Sequence, residues 1–301
     1  MILFYGEGRL GNQLFQYSAL AALARPHEAI LAIGLESLDA SFVLHGPQVH
    51  ALRLGLWLKR ACKYLLIGCA LRPLARTARL CNYGSEASPA QRPVAGGIAV
   101  RRGLWRSVTF VDGGYYQRTG TLPGTFKAQP VRPSEAIAIS ARTILTRHCP
   151  DDSVPVFVHV RRGDYLTHSF AGDTGGVALP TSYYRQAIDR MREAIPNAHF
   201  AFVTDDPAWV ANEFSDVAAR SVHSSTVAQD WALMACCRAG ILSNSSLALS
   251  AALSIVEPLL ILGPRYWMGF RQARWIPEGI EWVHPAVHYL DVPQAVPVGG
   301  A

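Results

Sequence analysis

The sequence predicts an α/β protein built on two open, largely parallel sheets, and three observations carry that expectation. Short apolar and β-branched runs alternate with longer helical patterns in both halves of the chain, the pattern of strands joined by crossover helices. A glycine-rich turn, Gly6-Glu7-Gly8-Arg9-Leu10-Gly11, stands between the first apolar run and the first helix. In the second half, polar clusters follow the apolar runs directly, at the strand ends where open α/β sheets hold their ligands. The 301 residues suffice for two medium domains, and with 50% hydrophobic and 17% charged residues the chain is globular rather than disordered.

Taken in order, Met1 to Tyr5 reads as a buried strand, followed by the glycine turn and an alanine-rich helix from about Gln13 to Leu23. Literally this is G-x-G-x-x-G between a strand and a helix, with a second strand (Ala29 to Ile33) and Glu36 beyond it, the layout of a dinucleotide site. An NAD(P)-dependent oxidoreductase using Gly6, Gly8 and Gly11 is therefore one reading. A tight turn that needs glycine for its backbone is the plainer one. The polar Asn12, Gln13 and Gln16 that enter the helix extend the loop as a candidate binding surface.

From Ala40 to Ser85 there is no Asp or Glu, while Arg53, Lys59, Arg60, Lys63, Arg72, Arg76 and Arg79 interleave with apolar residues and Trp57. Such a stretch suits either an amphipathic helix packed on the sheet or peripheral contact with an anionic membrane surface. Residues 86 to 130 are rich in Gly and Pro, with short strand-like runs and the aromatics Tyr115, Tyr116 and Phe126. A helix is expected over 134 to 148, and Asp151-Asp152-Ser153 marks the boundary between a first domain (1–150) and a second (151–290), with a tail at 291–301.

The second domain opens with alternating Val154, Val156, Val158 and Val160, a strand that runs into His159-Val160-Arg161-Arg162-Gly163-Asp164-Tyr165. Two adjacent guanidiniums at a strand end suit an anion with several oxygens, and phosphate or pyrophosphate matches their forked donors. A glycine-containing loop (167 to 180), a helix from Thr181 to Ala194 and a strand from His199 to Val203 follow. That strand ends in Thr204-Asp205-Asp206-Pro207, where Asp205 joins the candidate site and Asp206 suits the cap of a helix begun by Pro207. After a faint strand near Ala219 to Val222, Asp230 opens a helix. A short strand then delivers Ser243-Asn244-Ser245-Ser246 to the start of another (Leu247 to Val256), a candidate phosphate site.

The net charge of +6 suits an acidic partner without naming it. Six cysteines show no C-x-x-C pair or zinc spacing, which points to a reducing compartment and to no structural metal. The first five residues are too short for a cleavable leader, and charged residues or Pro258 interrupt the longest apolar runs, so the expectation is a soluble, cytoplasmic protein. Three polar clusters at strand ends, 159 to 164, 204 to 206 and 243 to 246, with a glycine loop in the other half, describe two Rossmann-like open α/β domains facing across a cleft: a GT-B-type glycosyltransferase. No Asp-x-Asp occurs in the chain, so arginines and a helix start take the place of a metal-held diphosphate.

The motifs also carry a family resemblance. Gly8-Arg9-Leu10-Gly11-Asn12-Gln13-Leu14-Phe15-Gln16-Tyr17 resembles the G-x-L-G-N-Q-x-F-Q-Y opening of family 11 α-1,2-fucosyltransferases, and His159 to Tyr165 matches that family's H-x-R-R-G-D-Y. Ser243 to Ser246 with Ala251-Ala252-Leu253 is similar to its S-N-S-S block, although Leu247-Ala248-Leu249-Ser250 lacks the aromatic residues usual there. The resemblance implies transfer of L-fucose from GDP-fucose to the 2-hydroxyl of a galactoside, with inversion and without metal or other cofactor. The implied partners are GDP-fucose and a galactose-terminated oligosaccharide or lipid-linked glycan, not nucleic acid. Peripheral contact at the inner face of a membrane is compatible with these. It further implies Arg161 and Arg162 on the diphosphate, His159 and Asp230 on the guanine, and Ser245 with Ser246 on the β-phosphate. Gly11, Asn12, Gln13, Asp205, Ser243 and Asn244 complete the binding set. The acceptor's proton is left to Asp164 or Glu7. A sugar-nucleotide-binding module without catalysis is the non-enzymatic alternative.

Overall fold

The computed structural model describes residues 1–6, 8–25, 27–39, 41–52, 54–62, 75–80, 98–101, 105–111, 131–168, 175–275 and 286–293. Glu7, Lys63, Tyr115, Tyr116 and Phe126 lie outside them. The chain divides into two compact units, Met1–Ser134 and Glu135–Ala301.

In the first unit, β1 (Ile2–Tyr5) leads through the glycine turn into α1 (Leu10–Leu23), which starts three residues earlier than the sequence pattern suggests. The strands β2 (Ile30–Ile33), β4 (Val49–Leu52), β5 (Ala75–Leu80), β6 (Ile98–Arg101) and β7 (Trp105–Val111) join β1 in a six-stranded sheet of order β4-β2-β1-β7-β5-β6. All its pairings are parallel except β5 with β6. A separate antiparallel pair joins β3 (Phe42–Leu44) to β8 (Val131–Pro133). Ile2, Phe4, Ile30 and Ala32 are buried, as are Phe15, Tyr17 and Leu20 of α1. Two short helices, α2 (Glu36–Asp39) and α3 (Leu56–Ala61), complete the described part of this unit.

The glycine turn has a local cause. Gly8 sits at φ +89°, and a Cβ there would lie 2.2 Å from the Asn12 side-chain nitrogen, so no larger residue fits. Gln13 spans the turn: its Nε2 donates to the Gly8 carbonyl at 3.3 Å and its Oε1 accepts from the Leu38 amide at 3.2 Å. Glu36, which the dinucleotide reading would assign to a ribose, is held by Lys59 at 2.8 Å.

The second unit begins with α4 (Glu135–His148), sixteen residues before the domain boundary expected at 150/151. That helix goes with the second unit because it packs on α7 (Val227–Ala235), burying Ala141 and Leu145. The strands β9 (Val154–Val160), β10 (Ala198–Thr204), β11 (Arg220–His223), β12 (Ala239–Ile241), β13 (Leu260–Pro264) and β14 (His288–Leu290) form a wholly parallel sheet of order β11-β10-β9-β12-β13-β14. In this doubly wound order the chain runs outward from β9 in one direction, then returns and runs outward from β12 in the other. The switch point lies between β9 and β12, the place where open sheets of this kind hold their ligands.

The core explains the element choice. All seven β10 residues are buried, as expected of a central parallel strand covered on both faces. The helix α5 (Thr181–Ala194) buries Tyr183, Tyr184, Ala187, Ile188 and Met191, a stripe at helical spacing. Phe202, Phe214 and Tyr184 meet in tilted and edge-on ring contacts beneath it. At the sheet centre, Gly240 of β12 lets the Phe157 ring cross the strand: a Cβ there would lie 2.1 Å from the ring. Gly240→Ala is therefore expected to destabilise the protein by about 1–3 kcal/mol through overpacking, read as a lower denaturation midpoint, and an unchanged midpoint would refute this account of the glycine.

Candidate active site

Three strand ends of the second unit converge at its switch point. From β9 come His159, Arg161 and Arg162; from β10 come Asp205 and Asp206; after β12 come Ser243 and Asn244. His159 and Ser243 tie the first and third together, with Nδ1 and Oγ 2.7 Å apart in a hydrogen bond across the switch point. Both are buried. Burial, and secondarily the neighbouring Arg161 charge, push the His159 pKa down to about 3, so its ring is neutral at physiological pH.

The arginines are held differently. Arg161 lies in a carboxylate cage, with Nη2 donating to Asp164 Oδ1 at 2.5 Å and Nη1 3.0 Å from Asp205 Oδ2. Arg162 donates its backbone amide to Asp205 Oδ1 at 2.9 Å and its Nε to Asp206 Oδ2 at 3.1 Å. Its guanidinium stacks 3.7 Å from the centre of the Trp209 ring. Among the described residues, neither terminal nitrogen of Arg162 has a hydrogen-bond partner. The same Asp206 caps α6 (Pro207–Glu213), its Oδ1 accepting from the Trp209 amide at 3.2 Å. Gly163 follows the pair because a Cβ there would lie 2.6 Å from Asp205 Oδ2.

Each candidate residue has a definite place. Asn244 is fully buried; its side-chain nitrogen donates to the Val177 carbonyl at 2.8 Å, and its backbone carbonyl accepts from the Tyr165 hydroxyl at 3.3 Å. Its side chain thus pins the segment that returns from the loop after Leu166, and Arg271 holds the same segment through the Gly175 and Gly176 carbonyls. Ser245 caps α8 (Ser246–Ala252) by accepting from the Leu247 amide at 3.3 Å; Ser243 is enclosed and Ser246 half-buried. Asp230, in the first turn of α7, accepts from the Ser225 amide at 3.0 Å; burial, with Asp205 adding to it, raises its pKa to about 6. Gly11, Asn12 and Gln13 lie in the first unit at the start of α1, and there Gln13 braces the glycine turn. Glu7 is outside the described residues.

Sequence reasoning placed Asp206 as a helix cap but missed its second oxygen on Arg162, and missed Trp209 altogether. A tryptophan three residues into a helix capped by aspartate carries no ligand signature. Its role comes from β9 and β10 ending side by side, with Val160 opposite Thr204. Among the described residues, no group of three His, Cys, Asp or Glu could hold a metal ion, and no helix is long and apolar enough to cross a membrane.

A buried neutral histidine and two oriented guanidiniums stand together at the switch point of a doubly wound sheet, a place where such sheets hold their ligands. Comparison with known proteins makes the class specific. Residues 134–265 match the family described as glycosyl transferase family 11. Over 115 residues the chain is 30% identical to the O-antigen biosynthesis glycosyltransferase WbnK of Escherichia coli, a match covering 36% of this chain and 38% of that protein. The fucosyltransferase NodZ from Bradyrhizobium aligns over 84% of this chain and 93% of its own, with TM-score 0.50 and 12% identity. A family 9 glycosyl transferase from Veillonella parvula aligns over 96% of this chain and 85% of its own, with TM-score 0.50 and 11% identity. These structural likenesses establish the fold: two α/β units of the GT-B type.

The shifted groups set a pH profile for stability. The His159 pKa falls from 6.5 to about 3 on folding and the His223 pKa from 6.5 to about 4, so between those values the unfolded chain binds protons that the folded one refuses. Stability is therefore lost as pH falls below about 6.5. Asp230 acts in the opposite sense between 3.8 and about 6, where the folded protein holds the extra proton. His159→Asn should flatten the acid limb by close to one proton in urea titrations from pH 4.5 to 7, and an unaltered slope would show that His159 is not buried and neutral.

Proposed function

We propose that this protein transfers L-fucose from GDP-fucose to the 2-hydroxyl of a galactoside, with inversion and without a metal ion or cofactor. The observation that carries the proposal is the Arg161-Arg162 pair, preorganised at the switch point within the stretch that matches family 11. As the bond from fucose C1 to the β-phosphate oxygen breaks, its electron pair stays on GDP, and the transition state has oxocarbenium character. Fixed cations at the diphosphate stabilise that charge separation more than they stabilise the bound donor. The acceptor oxygen bonds to C1 from the opposite face, and its proton goes to a carboxylate, for which the sequence offers Asp164 and Glu7. His159 and Asp230 are assigned to the guanine, and Ser245 with Ser246 to the β-phosphate. The kinship with an O-antigen biosynthesis enzyme supports a galactose-terminated or lipid-linked glycan as acceptor.

The dinucleotide reading loses support, since its ribose acid is occupied by Lys59 and its glycine turn is braced by Gln13. Arg161→Ala should cost about a hundredfold or more in the rate of GDP-fucose turnover, the usual loss when one charge-stabilising donor is removed, while EDTA leaves the rate unchanged. Acceptor screening with linkage analysis of the product checks the galactoside 2-hydroxyl. An intact rate in the variant, or an EDTA-sensitive one, would overturn the proposal, and tight GDP-fucose binding with no turnover on any galactoside would mark a binding module instead.

We also propose a cytoplasmic protein that touches the inner membrane face through α3. Lys59 on one side of this helix is tied to Glu36 at 2.8 Å. Two residues away, on the opposite side, Trp57 is 88% exposed and its neighbour Leu58 54%. An exposed tryptophan beside basic residues, in a stretch without acidic ones, fits the headgroup region of an anionic bilayer. Trp57→Ser should lower co-sedimentation with vesicles containing phosphatidylglycerol several-fold, with phosphatidylcholine vesicles as the baseline; an equal bound fraction would remove the proposal.

A further inference from the structure

The two halves of the diphosphate site stand on neighbouring strands, but the sheet sets their spacing only up to a point. The last ladder pair of β12 with β9 is Ile241 opposite Val158. Past it, one chain enters the arginine turn and the other enters Ser243-Asn244-Ser245-Ser246. A ligand gripped by both needs them held to within about 0.5 Å, so contacts beyond the ladder must fix the distance.

Residues 175–178 supply such contacts, because they are bonded to both segments. The Val177 and Ala178 amides donate to the Tyr165 carbonyl at 2.8 and 3.1 Å, which fastens the stretch to the end of the arginine turn. From the other segment, Asn244 Nδ2 donates to the Val177 carbonyl at 2.8 Å. The Tyr165 hydroxyl closes the ring of contacts by donating to the Asn244 backbone carbonyl at 3.3 Å. Asn244 and Val177 are both buried, so their bond is not shared with solvent. Turning the Asn244 amide over would set its oxygen against the Val177 carbonyl oxygen, so its orientation is fixed. Gly176 permits the close approach: its φ is +72°, and a Cβ there would lie 2.8 Å from the Tyr165 carbonyl oxygen.

Arg271 holds the same stretch from a third element. It belongs to the short helix Trp267–Gln272 after β13, which is anchored by the buried Trp267 and Phe270. Its Nε donates to the Gly176 carbonyl at 3.0 Å and its Nη2 to the Gly175 carbonyl at 2.8 Å. A planar fork serves two successive carbonyls at once, which a single ammonium does less well. Arg271 lies beyond the stretch 134–265 that matches the family.

We propose that Asn244 and Arg271 are positioning residues: through residues 175–178 they set the distance between the arginine turn and the Ser245-Ser246 helix start. That distance decides how well a diphosphate fits across the two. This rests on the reading of the site as a nucleotide-diphosphate site. Both side chains act on backbone carbonyls of the stretch, so their effect reaches the ligand as geometry. A nucleotide without a β-phosphate does not span the two halves and makes little use of their spacing.

The test measures binding of GDP, GMP and inorganic pyrophosphate to the full chain by calorimetry, for the wild type, Asn244→Leu, Arg271→Ala and Arg271→Lys. Asn244→Leu removes the donor at similar volume and should weaken GDP and pyrophosphate about five- to twentyfold, and GMP by about twofold at most. Arg271→Ala should weaken the same two ligands about three- to tenfold, and Arg271→Lys, which keeps the charge but not the fork, should follow it. A GDP-to-GMP affinity ratio that stays at the wild-type value in Arg271→Ala, or in a folded Asn244→Leu, overturns the inference and leaves the reading of the site intact. Wild-type binding by Arg271→Lys beside weakened binding by Arg271→Ala also overturns it, since charge alone would then account for the loss. A wild type that binds neither GDP nor pyrophosphate overturns the reading of the site, and the inference with it.

Discussion

The site in the second unit depends on one carboxylate. Asp205, at the end of β10, receives the backbone amide of Arg162 and faces the guanidinium of Arg161, which lie just beyond the end of β9. Parallel pairing of β9 with β10 brings these residues together, since Val160 lies opposite Thr204 and each chain leaves the sheet one residue later. A charge-assisted hydrogen bond of this kind is worth about 1.5–3 kcal/mol, enough to fix how the chain leaves β9. The glycine at 163 follows from it, because the space a side chain would need belongs to that carboxylate. The order Arg-Arg-Gly-Asp can thus be understood as two cations, a gap cut for the carboxylate that aligns them, and a second carboxylate that closes on the first cation.

Electrostatics beneath the turn point the same way. A charged imidazole next to Arg161 would add a third cation without solvent to stabilise it, and burial keeps His159 neutral instead, hydrogen-bonded to Ser243. The cationic charge of the turn therefore resides on the two guanidiniums. Trp209 and Asp206 flatten and orient Arg162 from two sides, so a planar donor edge is presented with little of the side-chain freedom that an exposed arginine would have to lose on binding.

Local periodicity made much of this legible. The valine alternation marked β9, the apolar run ending in Thr204 marked β10, and the helix from Thr181 to Ala194 matched residue for residue, because each is specified by side chains a few positions apart. The polar clusters at strand ends could be read for the same reason. Strand order could not, since nothing local in β12 says that it pairs with β9 rather than with β11. The division at Ser134/Glu135 was not legible locally, because α4 carries little burial of its own and joins the second unit through its contact with α7, roughly ninety residues later. Trp209 was hidden likewise: its partner is 47 positions away, and the contact exists only once two strands lie side by side.

The glycines show why motifs of equal clarity carried unequal meaning. In the first unit, Gly6, Gly8 and Gly11 spell a dinucleotide fingerprint, but Gly8 is required by its positive φ and by the Asn12 side chain packed against it, and Gln13 bonds to the Gly8 carbonyl and the Leu38 amide. Gly163 has an ordinary backbone and is required instead by Asp205, a carboxylate whose placement makes sense through the arginines it holds in line. A glycine that relieves the backbone says that the chain turns. A glycine that makes room for a charged side chain says what the turn was built to present.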